Sequence, residues 1–170
     1  MTVQRTDGNL RGVLHELRQL PKETEWVEFK HNKAIPKEIG EYISALSNSA
    51  ALEGQVAAWV IWGVEDSSHE VVGTRFEPAL EKVGEEELEN WLLRLLSPKI
   101  DFRFHSFTAE DLPVVALEIT AAYKHPVQFE GIEYIRVGSY KKKLKDHPEK
   151  EKSLWRFFDN TPFEREIAAE

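Results

Sequence analysis

Three carboxylates, Glu23, Glu28 and Asp66, have the clearest potential for chemistry in this sequence. Carboxylate oxygens are ligands that Mg²⁺ and Mn²⁺ prefer, and cations held by two or three of them can cleave a phosphodiester. Lys30 follows Glu28 closely and could stabilise the charge that develops on the phosphate. The alternative is that Glu23, Glu25 and Glu28 solvate an exposed strand and that Asp66 belongs to an acidic turn.

A second group of residues concentrates positive charge near the C-terminus. It contains Arg136, Ser139, Tyr140, Lys141, Lys142, Lys143 and Lys145. Basic side chains attract phosphates, an aromatic ring can stack on a base, and Ser139 can donate a hydrogen bond to a phosphate. We therefore predict a nucleic-acid contact here. The alternative is a solvated loop, because acids such as Asp146 and Glu149 follow the lysines.

Several other kinds of site are excluded or disfavoured. The chain has no cysteine, which excludes disulfides and cysteine zinc sites. Its six histidines show no spacing typical of zinc ligands. His31, beside the carboxylates, is a candidate proton donor, with an ordinary surface histidine as the alternative. The GxxxxGK[ST], GxGxxG and GxSxG motifs are absent, so this segment is no P-loop ATPase.

The elements that position these residues follow from the period of the apolar side chains. Helical spacing predicts helices over residues 9–20, 36–50, 85–96 and 153–158. Alternating or continuous apolar runs predict strands over residues 26–30, 56–64, 100–107, 114–119, 128–129 and 134–137. The run at 56–64 predicts a buried central strand with Asp66 at its open end, and residues 141–152 are predicted to form a loop.

The order of these elements predicts an α+β fold with a mixed, mostly antiparallel sheet flanked by helices, because the regular alternation of a doubly wound fold is missing. We expect an N-terminal helix within residues 1–21 and a domain over 22–160. Residues 161–170 would begin a linker or a helix leading to a further C-terminal region. No stretch approaches membrane-spanning length, which predicts a cytoplasmic protein with no membrane partner.

The formal net charge of -8 argues against a protein that coats nucleic acid by bulk electrostatics. A local basic surface stays compatible with it, because salt screens charges over roughly 8 to 10 Å.

Four blocks of sequence, in a fixed order, carry a resemblance to a known family. They are ETEWVEFKHN at 23–32, EYISALSNSA at 41–50, WGVEDSSHEVVGTRF at 62–76 and YIRVGS at 134–139. Together they resemble the Schlafen AlbA domain family. One departure is that family members often carry two glycines after the helix asparagine, whereas Asn48 is followed by a longer loop with a lone Gly54.

The resemblance implies an AlbA-like fold and a role in nucleic-acid binding. Bacterial domains of this type are commonly described as DNA-binding modules of transcriptional regulators, often with a winged-helix region behind them. In animal Schlafens a related fold carries an endoribonuclease site. Carried over by position, the nuclease carboxylates fall on Glu23, Glu28 and Asp66, and Lys30 follows the second of them.

Three hypotheses result. The first is a DNA- or RNA-binding module of a bacterial regulatory or defence protein, which needs no cofactor. The second is an endoribonuclease that uses Mg²⁺ or Mn²⁺ at the three carboxylates. The third is a non-catalytic protein-interaction domain. A homo-oligomer and a C-terminal winged-helix region in a longer chain are compatible with each.

Overall fold

The apolar patterns divide the chain into four α-helices and ten β-strands within residues 2–160, the part that the computed structural model describes. The α-helices are α1 (Asp7–Arg18), α2 (Pro36–Leu52), α3 (Leu88–Leu95) and α4 (Pro148–Asn160). The strands are β1 (Val27–Lys30), β2 (Ala57–Trp62), β3 (Lys82–Val83), β4 (Glu86–Glu87), β5 (Leu96–Ser97), β6 (Phe102–Ala109), β7 (Leu112–Thr120), β8 (Gln128–Phe129), β9 (Ile132–Val137) and β10 (Tyr140–Lys143). None of the helices described is both long and apolar enough to cross a membrane.

The larger sheet has the strand order β1-β2-β7-β6. Strand β1 runs parallel to β2, whereas β7 is antiparallel to both of its neighbours, β2 and β6. Strand β2 therefore lies inside the sheet, as its continuous apolar run predicts. The fold class is confirmed as α+β with mostly antiparallel strand pairs.

Helices cover both faces of this sheet, and the alternation of side chains along β1 and β2 decides which residue faces which helix. Val27 and Phe29 pack with Trp59 and with α1, whose buried stripe includes Leu10. The opposite face, which carries Val60, packs against α2. Glu28 and Lys30 alternate with Val27 and Phe29, so they project on the α2 side of the sheet.

A second sheet with the order β10-β9-β8-β5 contacts α2. Buried polar side chains of α2 fix its position. The Asn48 amide donates to the carbonyl oxygens of Val127 (3.0 Å) and Tyr134 (2.9 Å), and its Oδ1 accepts the Val127 N–H at 2.8 Å. Ser44 accepts the Tyr134 N–H at 2.9 Å. These bonds set where β9 lies along α2.

Two parts of the fold differ from the sequence-based expectation. The single sheet we predicted is divided into two four-stranded sheets and the small β3–β4 ribbon. The predicted loop over residues 141–152 was wrong, because Lys141, Lys142 and Lys143 pair with β9 and α4 begins already at Pro148. A run of lysines does not alternate in polarity, so it hides an edge strand from pattern analysis.

The helix predicted from residue 85 begins later, at Leu88. The preceding acids, Glu86 and Glu87, form β4 and pair with β3 across a turn at Gly84, whose φ is 63°. Glycine allows this left-handed turn, and the turn takes the acids out of the helix. The helical pattern predicted from Phe163 lies outside the described residues.

Candidate nucleic-acid and metal site

The site begins at Glu28 and Lys30, which share one face of β1 as predicted. The Lys30 Nζ lies 3.7 Å from Oε2 of Glu28. Both side chains are largely shielded from solvent, because β1 and the neighbouring α2 enclose them. A carboxylate and an ammonium group therefore form a partly buried pair at the edge of the larger sheet.

Arg136 on β9 reaches the same carboxylate from the second sheet. Its side chain is 1% exposed, and Nη1 lies 3.0 Å from Oε1 of Glu28. This is a close charge pair without hydrogen-bond alignment, so Nη1 has no aligned acceptor among the residues described. The Nε group donates to the Gly138 carbonyl at 3.3 Å, and Ser49 Oγ accepts the Arg136 backbone N–H at 3.1 Å. Glu28 and the Gly138 carbonyl thus hold the guanidinium, while Ser49 holds the backbone of the same residue.

The charges around Glu28 act on its ionisation in opposite directions. Burial raises the pKa of the Glu28 carboxyl above its ordinary value, and it is the largest influence. The positive charges of Arg136 and Lys30 lower the pKa, whereas the negative charge of Asp66 raises it. The net direction is upward, so this carboxylate is harder to ionise than an exposed glutamate.

Asp66 and Glu28 line the same small pocket, whose volume is about 120 Å³. The polar lining consists of Lys22, Thr24, Glu28, Asp66, Arg136 and Ser139. The apolar walls are Leu20, Pro21, Val27 and Phe29. The pocket lies between the turn before β1 and the β9–β10 turn, so it brings together residues far apart in sequence.

Glu23 is exposed in the turn before β1 and is not part of the pocket lining. Within residues 2–160, no three histidine or acidic side chains are close enough together to hold a metal ion. The ligand set that the resemblance implies for Mg²⁺ or Mn²⁺ is therefore not assembled, and Glu28 is already paired with two cations.

Lys141 faces inward from β10 and is engaged by α2. Its Nζ lies 2.6 Å from Oε1 of Glu41 and 4.6 Å from the ring centroid of Tyr42. Lys30 approaches the same ring at 5.0 Å. Burial and the nearby Glu28 charge raise the pKa of Tyr42 to about 12, so its hydroxyl stays protonated at neutral pH. These contacts fix β10 against α2.

The opposite face of β10 is open to solvent. Tyr140 is 68% exposed, and Lys142 Nζ lies 5.6 Å from its ring centroid. Lys143, which lies on the same side of the strand as Lys141, and Lys145, which follows β10, are exposed as well. The predicted basic group is thus divided: Arg136 and Lys141 point inward, while Ser139, Tyr140, Lys142, Lys143 and Lys145 form the accessible part, which we name the hairpin surface.

Glu25 is a residue of this site that sequence analysis did not single out. Its Oε2 accepts the Gly138 N–H at 2.7 Å, and Lys150 Nζ lies 3.4 Å from its Oε1. Glu25 thereby ties the β9–β10 turn to the segment before β1. Only the three-dimensional contact distinguishes it from Glu23, because both are acids in the same short stretch.

His31, the candidate proton donor, is exposed and lines a different pocket with Asn32, Thr74 and Arg75. In that pocket the Asn32 Oδ1 accepts hydrogen bonds from Thr74 Oγ1 (3.1 Å) and the Arg75 N–H (2.8 Å). His31 is thus separated from the pocket that holds Glu28 and Asp66.

Comparison with known proteins identifies the class of this domain. Residues 23–145 match the family described as Schlafen, AlbA_2, and the chain belongs to this family. No curated protein matches the sequence.

Two solved structures are similar to the chain. The N-terminal domain of a RecG-related protein from Nitrosomonas europaea has 17% identity and a TM-score of 0.47, with 81% of this chain and 92% of that chain covered. The DIP2311 protein from Corynebacterium diphtheriae has 19% identity and a TM-score of 0.43, with 74% of this chain covered. The match spans only 23% of the Corynebacterium chain.

Proposed function

We propose that this chain is a nucleic-acid-binding module and that it contacts a strand through the hairpin surface. The observation that carries the proposal is the open face of β10, where Tyr140 and Lys142 lie side by side. An exposed aromatic ring beside a cation offers stacking to a base and attraction to its phosphate. Membership of the Schlafen AlbA_2 family supports a nucleic-acid-related role.

The charge distribution supports the same proposal. The chain as a whole carries a formal net charge of -8, yet residues 142–145 contain three exposed lysines and no acid. Because salt screens exposed charges over roughly 8 to 10 Å, a phosphate on this surface responds chiefly to the nearby lysines. The proposal predicts affinity that depends on a small surface and falls as salt increases.

The wider setting is part of the proposal. We infer a cytoplasmic regulatory or defence protein of bacterial type, in which this module acts with a further region such as a winged helix. The resemblance of the sequence blocks supports this inference.

Binding by variants of the hairpin surface tests the proposal. Lys142→Ala combined with Lys143→Ala should weaken binding of single-stranded and duplex oligonucleotides at about 50 mM salt, whereas Lys82→Ala combined with Lys99→Ala should not. All four lysines are exposed, and the control pair lies on β3 and before β6. Equal affinities for the two double variants would contradict the proposal. Failure to bind any of these oligonucleotides at about 50 mM salt would favour a protein-interaction domain.

A metal-dependent endoribonuclease is the second candidate. The observation that favours it is the shared pocket of Glu28 and Asp66, with Lys30 beside Glu28. Incubation of the protein and of its Asp66→Ala variant with labelled tRNA, with Mn²⁺ or with a chelator, tests it on a denaturing gel. Metal-dependent cutting by the wild type alone would support the nuclease. Intact RNA in every lane would leave a nucleic-acid-binding or a protein-interaction module as the function.

A further inference from the structure

The pocket beside Glu28 presents hydrogen-bond donors and acceptors together. Asp66 is an exposed acid at its rim, while Arg136 and Ser139 supply donors. Among the side chains that line the pocket, the formal charges of Lys22 and Arg136 balance those of Glu28 and Asp66, while Lys30 lies outside the lining at 3.7 Å from Glu28. A phosphate placed here would lie beside two carboxylates and lose much of its attraction to Arg136. The pocket therefore suits a neutral group that has both donors and acceptors.

The size of the pocket limits what can enter. Its volume of about 120 Å³ is well below the roughly 300 to 1,000 Å³ of sites that enclose a whole ligand. The edge of a flat ring can enter such a space while the rest of the ring stays outside. Leu20 and Pro21 provide an apolar wall at the pocket, against which the face of a ring can pack.

Among the nucleobases, guanine matches this arrangement best. Its edge carries the acceptor O6 next to two donors, the ring N–H and the exocyclic amino group. A carboxylate can accept from both donors at once, and a guanidinium can donate to the acceptor. Adenine and cytosine place an amino donor where the acceptor should be, facing Arg136. Uracil offers only one donor, so it makes one bond fewer.

We propose that this pocket binds the edge of an unpaired guanine, with Asp66 accepting from the base and with Arg136 and Ser139 donating to O6. The inference rests on the proposed nucleic-acid-binding function, because a bound strand must present the base. Glu28 acts as the positioning residue that holds the Arg136 guanidinium at the pocket. Unpaired bases are the usual targets of such edge recognition, since pairing would occupy the same atoms.

The register of the β9–β10 hairpin places Arg136 of the guanine pocket and Tyr140 of the hairpin surface on opposite faces. Arg136 lies opposite Lys141, and Val137 lies opposite Tyr140. Residues paired across two strands share a face, so Lys141 points to the same side as Arg136. Tyr140 is the neighbour of Lys141 in β10 and points to the other side, so it cannot stack on the guanine in the pocket. It is available for a neighbouring base, so a bound strand must pass around the turn at Gly138 and Ser139.

Binding of the whole chain to short labelled oligo(U) and oligo(dT), each with one central guanine, tests the inference. Matched strands carry inosine, which lacks the amino group, or adenine at the same position. A chelator in every sample prevents metal-dependent cutting. We expect about tenfold tighter binding for guanine than for adenine, with inosine between them. Measurable but equal affinity for all three would overturn the guanine inference and leave the binding function intact. No binding to any strand would instead defeat the proposed function.

Two acid-to-amide variants in the same loop complete the experiment. Asp66→Asn replaces one carboxylate oxygen by a donor, so the preference for guanine over adenine should fall to about twofold or less. Glu70→Gln, at an exposed position outside the pocket lining, should keep the preference. An Asp66→Asn protein that still prefers guanine tenfold would overturn the assigned contact.

Discussion

Glu28 and Arg136 form the central contact of the site. The placement of Glu28 follows from the sequence, whereas that of Arg136 does not. The period of two along β1 places Glu28 and Lys30 on one face, as predicted. Arg136 lies on β9, and buried hydrogen bonds to α2 fix the position of this strand. One of them runs from the Arg136 backbone N–H to Ser49 Oγ. No local pattern encodes such a contact, because it joins segments that are distant in the chain.

Asn48 is the residue whose loss should damage the fold most for its size. Its side chain is fully buried and makes three hydrogen bonds to backbone groups of Val127 and Tyr134. Asn48→Ala removes all three bonds, and only the Val127 carbonyl keeps a side-chain donor, Ser44 Oγ at 2.7 Å, so we expect the free energy of unfolding to fall by about 2 to 4 kcal/mol. Urea unfolding measures this fall. Asn90→Ala, at an exposed position, should change it by less than about 0.5 kcal/mol.

Glu118 gives a prediction about pH. Arg5 donates to both of its carboxylate oxygens at 2.9 Å, and His105 Nε2 lies 3.0 Å from Oε1. Burial alone would raise the pKa of Glu118, but the bonds to Arg5 and His105 outweigh it and hold the pKa below its ordinary value. A carboxyl group whose pKa is lowered by folding stabilises the folded state at pH values above its ordinary pKa. This contribution to the free energy of unfolding is lost as the pH falls through the lowered pKa.

Arg5→Met tests this ion pair. At neutral pH the variant should unfold with a free energy about 1 to 3 kcal/mol lower than wild type, because a buried carboxylate loses its main partner. The difference should narrow progressively as the pH falls below the ordinary carboxyl range, because a carboxyl group that becomes protonated no longer needs the Arg5 charge. Arg156→Met, at an exposed position on α4, is the control. A difference that stays constant with pH would contradict the assignment.

At the scale of elements, helices and apolar strands follow from sequence better than charged edge strands do. The stripe in α2 and the run in β2 are periodic because both pack against a core. Strand β10 has no apolar face of that kind, and its lysines were predicted to form a loop. Its formation depends on backbone pairing with β9 and on the Lys141 contacts to Glu41 and Tyr42.

The packing of α2 on the second sheet depends on Gly40. A Cβ atom at this position would overlap the ring of Phe129 on β8. Gly40→Ala should therefore lower the free energy of unfolding by about 1 to 3 kcal/mol, because a packed ring has to move.

Gly12→Ala is the matched control, since a Cβ on this residue of α1 meets nothing within 4 Å. Alanine in an open helix position should raise the stability by about 0.5 to 1 kcal/mol. Thermal unfolding of both variants measures the contrast. Equal effects of the two substitutions would mean that α2 does not pack on β8 as closely as described.

At the scale of the whole molecule, charge is separated rather than uniform. The total is acidic, whereas β10 exposes Lys142 and Lys143 to solvent. Composition predicts only the total, while the separation depends on which lysines are engaged by acids, as Lys141 is by Glu41. The α+β class could be predicted from the order of elements; the division into two sheets could not, because strand pairing between distant segments leaves no local signal.

The most direct test of the account is the salt dependence of binding of a labelled single-stranded oligonucleotide to the unmodified protein. If Lys142, Lys143 and Lys145 each contact a phosphate, the logarithm of the affinity should fall against the logarithm of the salt concentration with a slope of about -2. Fluorescence anisotropy between about 50 and 200 mM salt measures this slope. We expect a slope of about -2 for the unmodified protein and of about -0.7 when Lys142 and Lys143 are both replaced by alanine. Affinity independent of salt, or no binding at about 50 mM, would contradict it.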